Sequence, residues 1–238
     1  MPTDRTFDLS TADGDMAVYE AAPDADASRA VIVVQEAFGV NDHIRDVARR
    51  FAAEGYHAVA PAFFHRAGGG TAPYDDFTKV MELFDGLDND AVLVDVDAVL
   101  AYLHGRGFEN SHIGIVGFCF GGRVTFLTAA TREIGASVGF YGGGITAGGR
   151  GLGGSLHEMA GEMRTPWLGL FGDLDEHIPV DGVEQLRADL AAANVPTDVV
   201  RYPDAGHAFH CDERESYHEP SAKDAWDRTL AWFDTYLD

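Results

Sequence analysis

One short turn limits what this chain can fold into more than any other feature. Gly117-Phe118-Cys119-Phe120-Gly121-Gly122 follows the apolar run Ile113-Gly114-Ile115-Val116 and precedes Arg123 to Ala130, which reads as a helix. Glycines on both sides of one reactive side chain mark a strand-to-helix turn in which the backbone crowds itself. Such a turn holds its central residue out at the end of a buried strand. Free cysteine is otherwise a small core hydrophobe, but core packing has no use for three glycines around one thiol. Cys119 is therefore read as a nucleophile.

The rest of the chain alternates strand and helix signals. Arg5 to Ser10 and Met16 to Ala21 read as strands joined by Ala12-Asp13-Gly14. Ala30 to Val34 is a continuous apolar run, as expected for a strand buried on both faces. Asn41 is a good N-cap for a helix to Glu54 with Ile44, Val47, Ala48 and Phe51 on one face. Further strands are expected at Tyr56 to Ala60, His112 to Val116, Ala136 to Tyr141, Pro166 to Phe171 and Thr197 to Tyr202. Helices are expected at Asp75 to Phe84, Ala91 to His104, Val180 to Ala193 and Glu219 to Leu237. Phe63 to Tyr74 and Gly142 to Gly154 read as glycine-rich loops, the first draped over a site. This order implies an α/β fold: a mostly parallel central sheet of about eight strands with helices on both faces. With no linker and no repeat, residues 1–238 are expected to form one domain.

Composition excludes some functions. Asp and Glu number 39 against 17 Lys and Arg, a net charge of −22, and only Lys79 and Lys223 are lysine. That surface opposes nucleic acid and anionic membranes, which need clustered positive charge. It suits a high-salt cytoplasm, where molar salt shortens the Debye length to ~3 Å and screens the self-repulsion. Optimum stability is expected in molar KCl. No apolar stretch approaches the ~20 residues of a membrane span, and Met1 to Arg5 lacks the apolar core of a signal peptide. A cytoplasmic location is the default. Two cysteines, Cys119 and Cys211, are too few for a disulfide scaffold, and Cys211 is read as a bystander thiol in a loop.

In an open parallel sheet, ligands bind beyond the carboxyl ends of the strands. Four reactive side chains fall at such ends: Glu36, Cys119, Asp175 and His207. His207 would act as general base and later as acid, with His210 its nearest rival. An aspartate after the Pro166 to Phe171 strand would orient the histidine. Position separates Asp175 from Asp173 only weakly. Glu36 would face Cys119, where an adjacent carboxylate disfavours a resting thiolate. The N–H groups of Phe120 and Ala37 would form the oxyanion hole. His207 and His210 are three apart, but no compact third and fourth metal ligands accompany them, so no metal is expected.

Together, Gln35-Glu36-Ala37-Phe38-Gly39-Val40-Asn41, Ala60-Pro61, the Cys119 turn, Asp175-Glu176-His177-Ile178-Pro179 and Ala205-Gly206-His207-Ala208-Phe209 make the chain resemble the dienelactone hydrolase (carboxymethylenebutenolidase) family from about Arg29 to the C-terminus. The resemblance implies an α/β-hydrolase fold, a Cys119–His207–Asp175 triad, and Glu36 paired with the resting cysteine. It supports Asp175 over Asp173. It implies a cofactor-free hydrolase acting on a small-molecule ester or lactone, as a monomer or small homo-oligomer. Similar members open the lactone ring of dienelactone to maleylacetate and hold its carboxylate with arginines, one of them a few residues after the catalytic histidine. Here no arginine falls at that close spacing, and Arg214 is later. Two other classes stand beside this one: a non-catalytic ligand-binding protein of the same fold, and a redox-sensing thiol protein with Cys211 as resolving partner.

Overall fold

The computed structural model describes residues 3–148 and 152–238. Eight strands form one sheet in the order β1-β2-β4-β3-β5-β6-β7-β8. They are β1 (Thr3–Thr11), β2 (Gly14–Ala22), β3 (Ala30–Val34), β4 (His57–Pro61), β5 (Ile113–Phe118), β6 (Ala136–Phe140), β7 (Trp167–Gly172) and β8 (Thr197–Tyr202). Only β1 with β2 and β2 with β4 pair antiparallel; the remaining pairs are parallel. The expected α/β-hydrolase architecture is the one observed.

Burial follows the sequence pattern. Every residue of β3, β4, β5, β6 and β7 is buried, as helices on both faces require. The exposed residues of β1 match its place at the sheet edge. The β1–β2 hairpin closes on Gly14 at φ 127°, and both strands run longer than the hydrophobic pattern alone marks.

Six α-helices surround the sheet: α1 (Asp42–Ala53), α2 (Phe77–Leu83), α3 (Asn89–Gly105), α4 (Phe120–Thr131), α5 (Val180–Leu190) and α6 (Glu219–Tyr236). Asn41 caps α1 by accepting from the Ile44 N–H, and Ile44, Val47, Ala48 and Phe51 are buried as expected. Phe51 meets Trp226 of α6 at 4.5 Å and Phe233 at 6.0 Å. Burying each such aromatic ring stabilises the helix contact by roughly 1.5–3 kcal/mol. The α2 helix is shorter than expected because Asp76 caps it through the Lys79 N–H. The α4 helix starts earlier, at the turn itself.

Two short 3₁₀ turns, His65–Ala67 and His157–Glu162, lie where the sequence has no periodicity. Of the expected loop from Gly142 to Gly154, residues 149–151 lie outside the described residues. Its described parts are tied to α4 by Arg123, whose buried guanidinium donates to the carbonyls of Gly144, Leu152 and Gly154. Among the described residues no carboxylate pairs with it, and burial lowers it to about 10. Among the described residues, no helix is long and apolar enough to cross a membrane.

Candidate active site

Sheet register assembles the site. Val34 of β3 stands opposite Gly117 of β5, and Phe118 stands opposite Phe140 of β6. Continued past the strand ends, these registers bring Glu36, Cys119 and Tyr141 into one row. Among the described residues, three non-glycines have a left-handed backbone: Cys119 at φ 54°, Tyr141 at 37° and Ala208 at 60°. Two belong to that row and the third follows His207. Such conformations cost of order 1–3 kcal/mol each and persist where surrounding structure over-determines them.

The glycines of the turn are required by contact. A Cβ on Gly117 would lie 2.2 Å from the Gly121 carbonyl oxygen, and one on Gly121 would lie 2.4 Å from that of Val34. Larger residues would drive β5 and α4 apart. The Cys119 N–H donates to the Phe140 carbonyl at 3.0 Å, and its own carbonyl accepts from Arg123 at 3.3 Å. The residue is pinned on both sides while its side chain stays partly exposed.

The loop after β7 and the loop after β8 meet through backbone and side chains. The Leu174 N–H donates to the Ala205 carbonyl at 2.9 Å. Asp175 Oδ2 lies 2.6 Å from His207 Nδ1, and its Oδ1 accepts from the His177 N–H at 2.8 Å. Asp173 instead takes both arms of Arg201, at 2.7 and 2.6 Å, so it is not the partner of His207. Burial opposes a charge on His207, but the Cys119 sulfur and the Asp175 carboxylate outweigh it and raise the imidazole to about 10. Those two, both far before His207 in the sequence but beside its ring in space, favour the imidazolium. His210 does not compete: it is 2 % exposed, and burial lowers it to about 3.

Glu36 is fully buried, and neither carboxylate oxygen has a hydrogen-bond partner among the described residues. Burial raises its pKa, against the pull of Arg214 and His207. The Tyr141 hydroxyl is likewise buried and unpartnered, within electrostatic range of Glu36, Cys211 and Cys119. Burial pushes the Tyr141 phenol up as it does the Glu36 carboxyl, so both groups near His207 are biased toward their neutral forms.

The wall around Cys119 is aromatic. Phe120 packs against Phe63, Phe64 and Phe84 at 6.0, 5.9 and 5.3 Å, so the start of the segment expected to drape over the site packs against the residue after Cys119. Phe38 packs edge-on against Tyr74 at 4.8 Å. The Arg214 guanidinium lies over both rings, at 5.5 and 5.2 Å, with no ion-pair partner among the described residues.

The structure thus brings Cys119, His207, Asp175 and Glu36 together, with the Phe120 and Ala37 backbone at the ends of their strands. Sequence reasoning missed Tyr141, and named Arg214 only as falling later than the expected close spacing after His207. A strand-terminal tyrosine in a parallel sheet was a usable signal for the first; the loop path that returns Arg214 left none. Cys211 lies in a loop as expected, but it is fully buried, 3.5 Å from the Tyr74 hydroxyl, and burial raises its thiol to about 11.

Residues 16–237 match the model of the dienelactone hydrolase family. A Salmonella typhimurium protein named "Putative carboxymethylenebutenolidase" is 43% identical over 231 residues, covering 93% of this chain and 83% of that protein. The "Carboxymethylenebutenolidase" of Pseudomonas putida is 30% identical over 204 residues, 84% of this chain and 83% of that one. A Klebsiella pneumoniae crystal structure, described as a "Putative Dienelactone Hydrolase", superposes with a TM-score of 0.91 at 39% identity, over 99% of this chain and 100% of that chain.

Proposed function

The chain belongs to the dienelactone hydrolase family and is a hydrolase of esters or lactones, and from that premise we propose that it works through a Cys119–His207–Asp175 triad. The observation that carries this reading is the His207 ring, bonded to Asp175 on one side and coupled to Cys119 on the other. Cys119 passes its thiol proton to His207, and its Sγ attacks the acyl carbon and forms a C–S bond. The oxyanion is received by the N–H groups of Phe120 and Ala37. His207 gives a proton to the leaving oxygen as the C–O bond breaks. Water, losing a proton to His207, then attacks the thioester; the acid leaves and the thiol is restored. Glu36 and Tyr141 surround the resting sulfur without offering it a positive charge.

Arg214 supports an anionic substrate. It is held over Phe38 and Tyr74 beside the site with no ion-pair partner among the described residues, as a holder of a substrate carboxylate needs to be. The carboxymethylenebutenolidase name of the relatives is consistent with such a group. The test is a panel of neutral aryl esters and carboxylate-bearing lactones. Cys119→Ala is expected to lower turnover on all of them by on the order of 10³-fold or more. Arg214→Ala is expected to raise KM only for the anionic members. Unchanged hydrolysis in Cys119→Ala would refute the triad.

The redox reading fares worse, because a resolving thiol must ionise and reach its partner, whereas Cys211 is buried and its thiol is raised. The net charge of −22 supports a protein adapted to a high-salt cytoplasm. Its thermal midpoint is expected to rise with KCl up to molar concentration as screening weakens the self-repulsion; a flat or falling midpoint defeats that reading.

A further inference from the structure

His210 belongs to none of the chemistry above, yet it sits three residues from His207 and is almost wholly buried. Its ring is layered between two others. Phe118, the residue before Cys119, lies 5.2 Å away with planes 28° apart, and Trp226 of α6 lies 6.0 Å away with planes 22° apart. Phe140, the residue before Tyr141, closes a third side at 5.0 Å. His43 of α1 faces the same ring at 6.0 Å and meets Phe118 edge-on at 6.1 Å. His210 Nδ1 and both nitrogens of His43 have no hydrogen-bond partner among the described residues. A polar ring is buried here for its plane and not for its hydrogen bonds.

From this stack we infer that His210 is a positioning residue: wedged between Phe118 and Trp226, it fixes the loop bearing His207 in register with the turn bearing Cys119. The inference rests on the proposed roles of Cys119 and His207. The loop needs such a fixture. Ala208 is left-handed, and the next backbone ties run only to Cys211 and His218. A displacement of His207 by about 1 Å is enough to lower turnover about 100-fold.

The device works only while the ring is neutral. The charged and titratable groups around it are His43, Asp46 and Arg50 on α1, Asp212 on its own loop, and Lys223 and Asp227 on α6, which line the cleft beside it. Arg50 is bound to Asp46 and Asp212 at 2.6 Å each, and Lys223 to Glu219. Among the described residues, none of them forms a hydrogen bond or ion pair with His210 itself. Burial lowers His210 to about 3 and His43 to about 4. Both folded values lie below the unfolded one. Their contribution to stability is therefore full above about 6.5 and is lost as pH falls toward those folded values.

The test compares His210→Phe, which keeps a planar ring, with His210→Ala and His210→Leu, which do not. With an aryl acetate as substrate, His210→Ala is expected to lower kcat about 100-fold with KM within about twofold. His210→Phe is expected to stay within about threefold of the parent kcat and to move the acid limb of inactivation to lower pH. Equal losses in Phe and Leu variants, an undiminished kcat in His210→Ala, or an unmoved acid limb in His210→Phe overturns the inference. If His210→Ala does not fold, the Phe and Leu pair carries the comparison. The deshielded proton of the His207–Asp175 hydrogen bond, followed by NMR, gives a readout independent of turnover: it is expected to persist in His210→Phe and to broaden or vanish in His210→Leu. Should Cys119→Ala remain active, the triad falls, while the NMR arm still reports whether His210 places the loop.

Discussion

Two glutamates lie buried in this fold under opposite arrangements. Glu20 of β2, 5 % exposed, accepts from Arg5 Nε at 2.8 Å, lies 3.1 Å from His57 Nε2, and accepts from the Tyr102 hydroxyl. Glu36, 0 % exposed, accepts from nothing among the described residues. Burial pushes both carboxyls up, but at Glu20 the Tyr102 and Arg5 hydrogen bonds and the His57 interaction win and the pKa falls. At Glu36 burial wins and it rises. The residue type is the same, but Glu36 is the more deeply buried and lacks the partners of Glu20, and the two differences act in the same direction. A satisfied buried carboxylate is a structural brace. An orphaned one in a site is a candidate for a functional proton holder, and that is the role proposed for Glu36.

If that contrast is right, the larger stability effect belongs to Glu20. Glu20→Ala leaves buried His57 and the Tyr102 hydroxyl without their acceptor, and is expected to lower the unfolding free energy by about 3 kcal/mol. A urea midpoint measures it, with kcat unchanged because Glu20 lies outside the site. The pH sign follows from its lowered folded pKa. Its contribution is present above the ordinary carboxylate range and lost as pH falls through the folded value. A Glu20→Ala protein with parent stability, or one with impaired kcat, would erase the distinction between brace and site.

Much of the fold was legible because its core strands are buried on both faces. Ala30–Val34, Ala136–Phe140 and Trp167–Gly172 have no polar alternation to confuse the reading. The edge strand β1 was less so, since half-exposed residues carry little pattern. Cys119 was legible because its glycines answer a steric demand that local sequence displays. Choosing Asp175 over Asp173 was not, because the deciding partner of Asp173, Arg201, lies on β8. His207 and His210 follow the same Gly206, and only the distant Asp175, Phe118 and Trp226 distinguish base from wedge. Tyr141 and Arg214 enter the site through parallel register and loop return, which no local window records. The His157–Glu162 turn is held by long-range bonds such as Leu156 N–H to the Ile145 carbonyl, not by helix periodicity.

The subtler half of the contrast is tested at Glu36. Glu36→Gln keeps the shape and removes the titration, so no brace is lost and stability at pH 5 is expected to stay within about 0.5 kcal/mol. The wild-type folded carboxyl holds its proton to higher pH than the unfolded one. Its contribution is therefore present below the unfolded value and lost as pH rises through the folded one. The variant should accordingly become the more stable protein as pH increases above the ordinary carboxylate range. Thiol reactivity carries the same sign. Once ionised, Glu36 opposes a negative charge on Cys119, and an opposition of about 1.4 kcal/mol slows alkylation about tenfold. Iodoacetamide should modify Cys119 at matching rates in the two proteins at low pH, and progressively faster in Glu36→Gln as pH rises. Cys211, buried under Tyr74, is excluded from the count by a Cys211→Ala background. A rate ratio that stays flat with pH would mean that Glu36 does not sense the sulfur, and the orphaned carboxyl would lose its claim to a functional role.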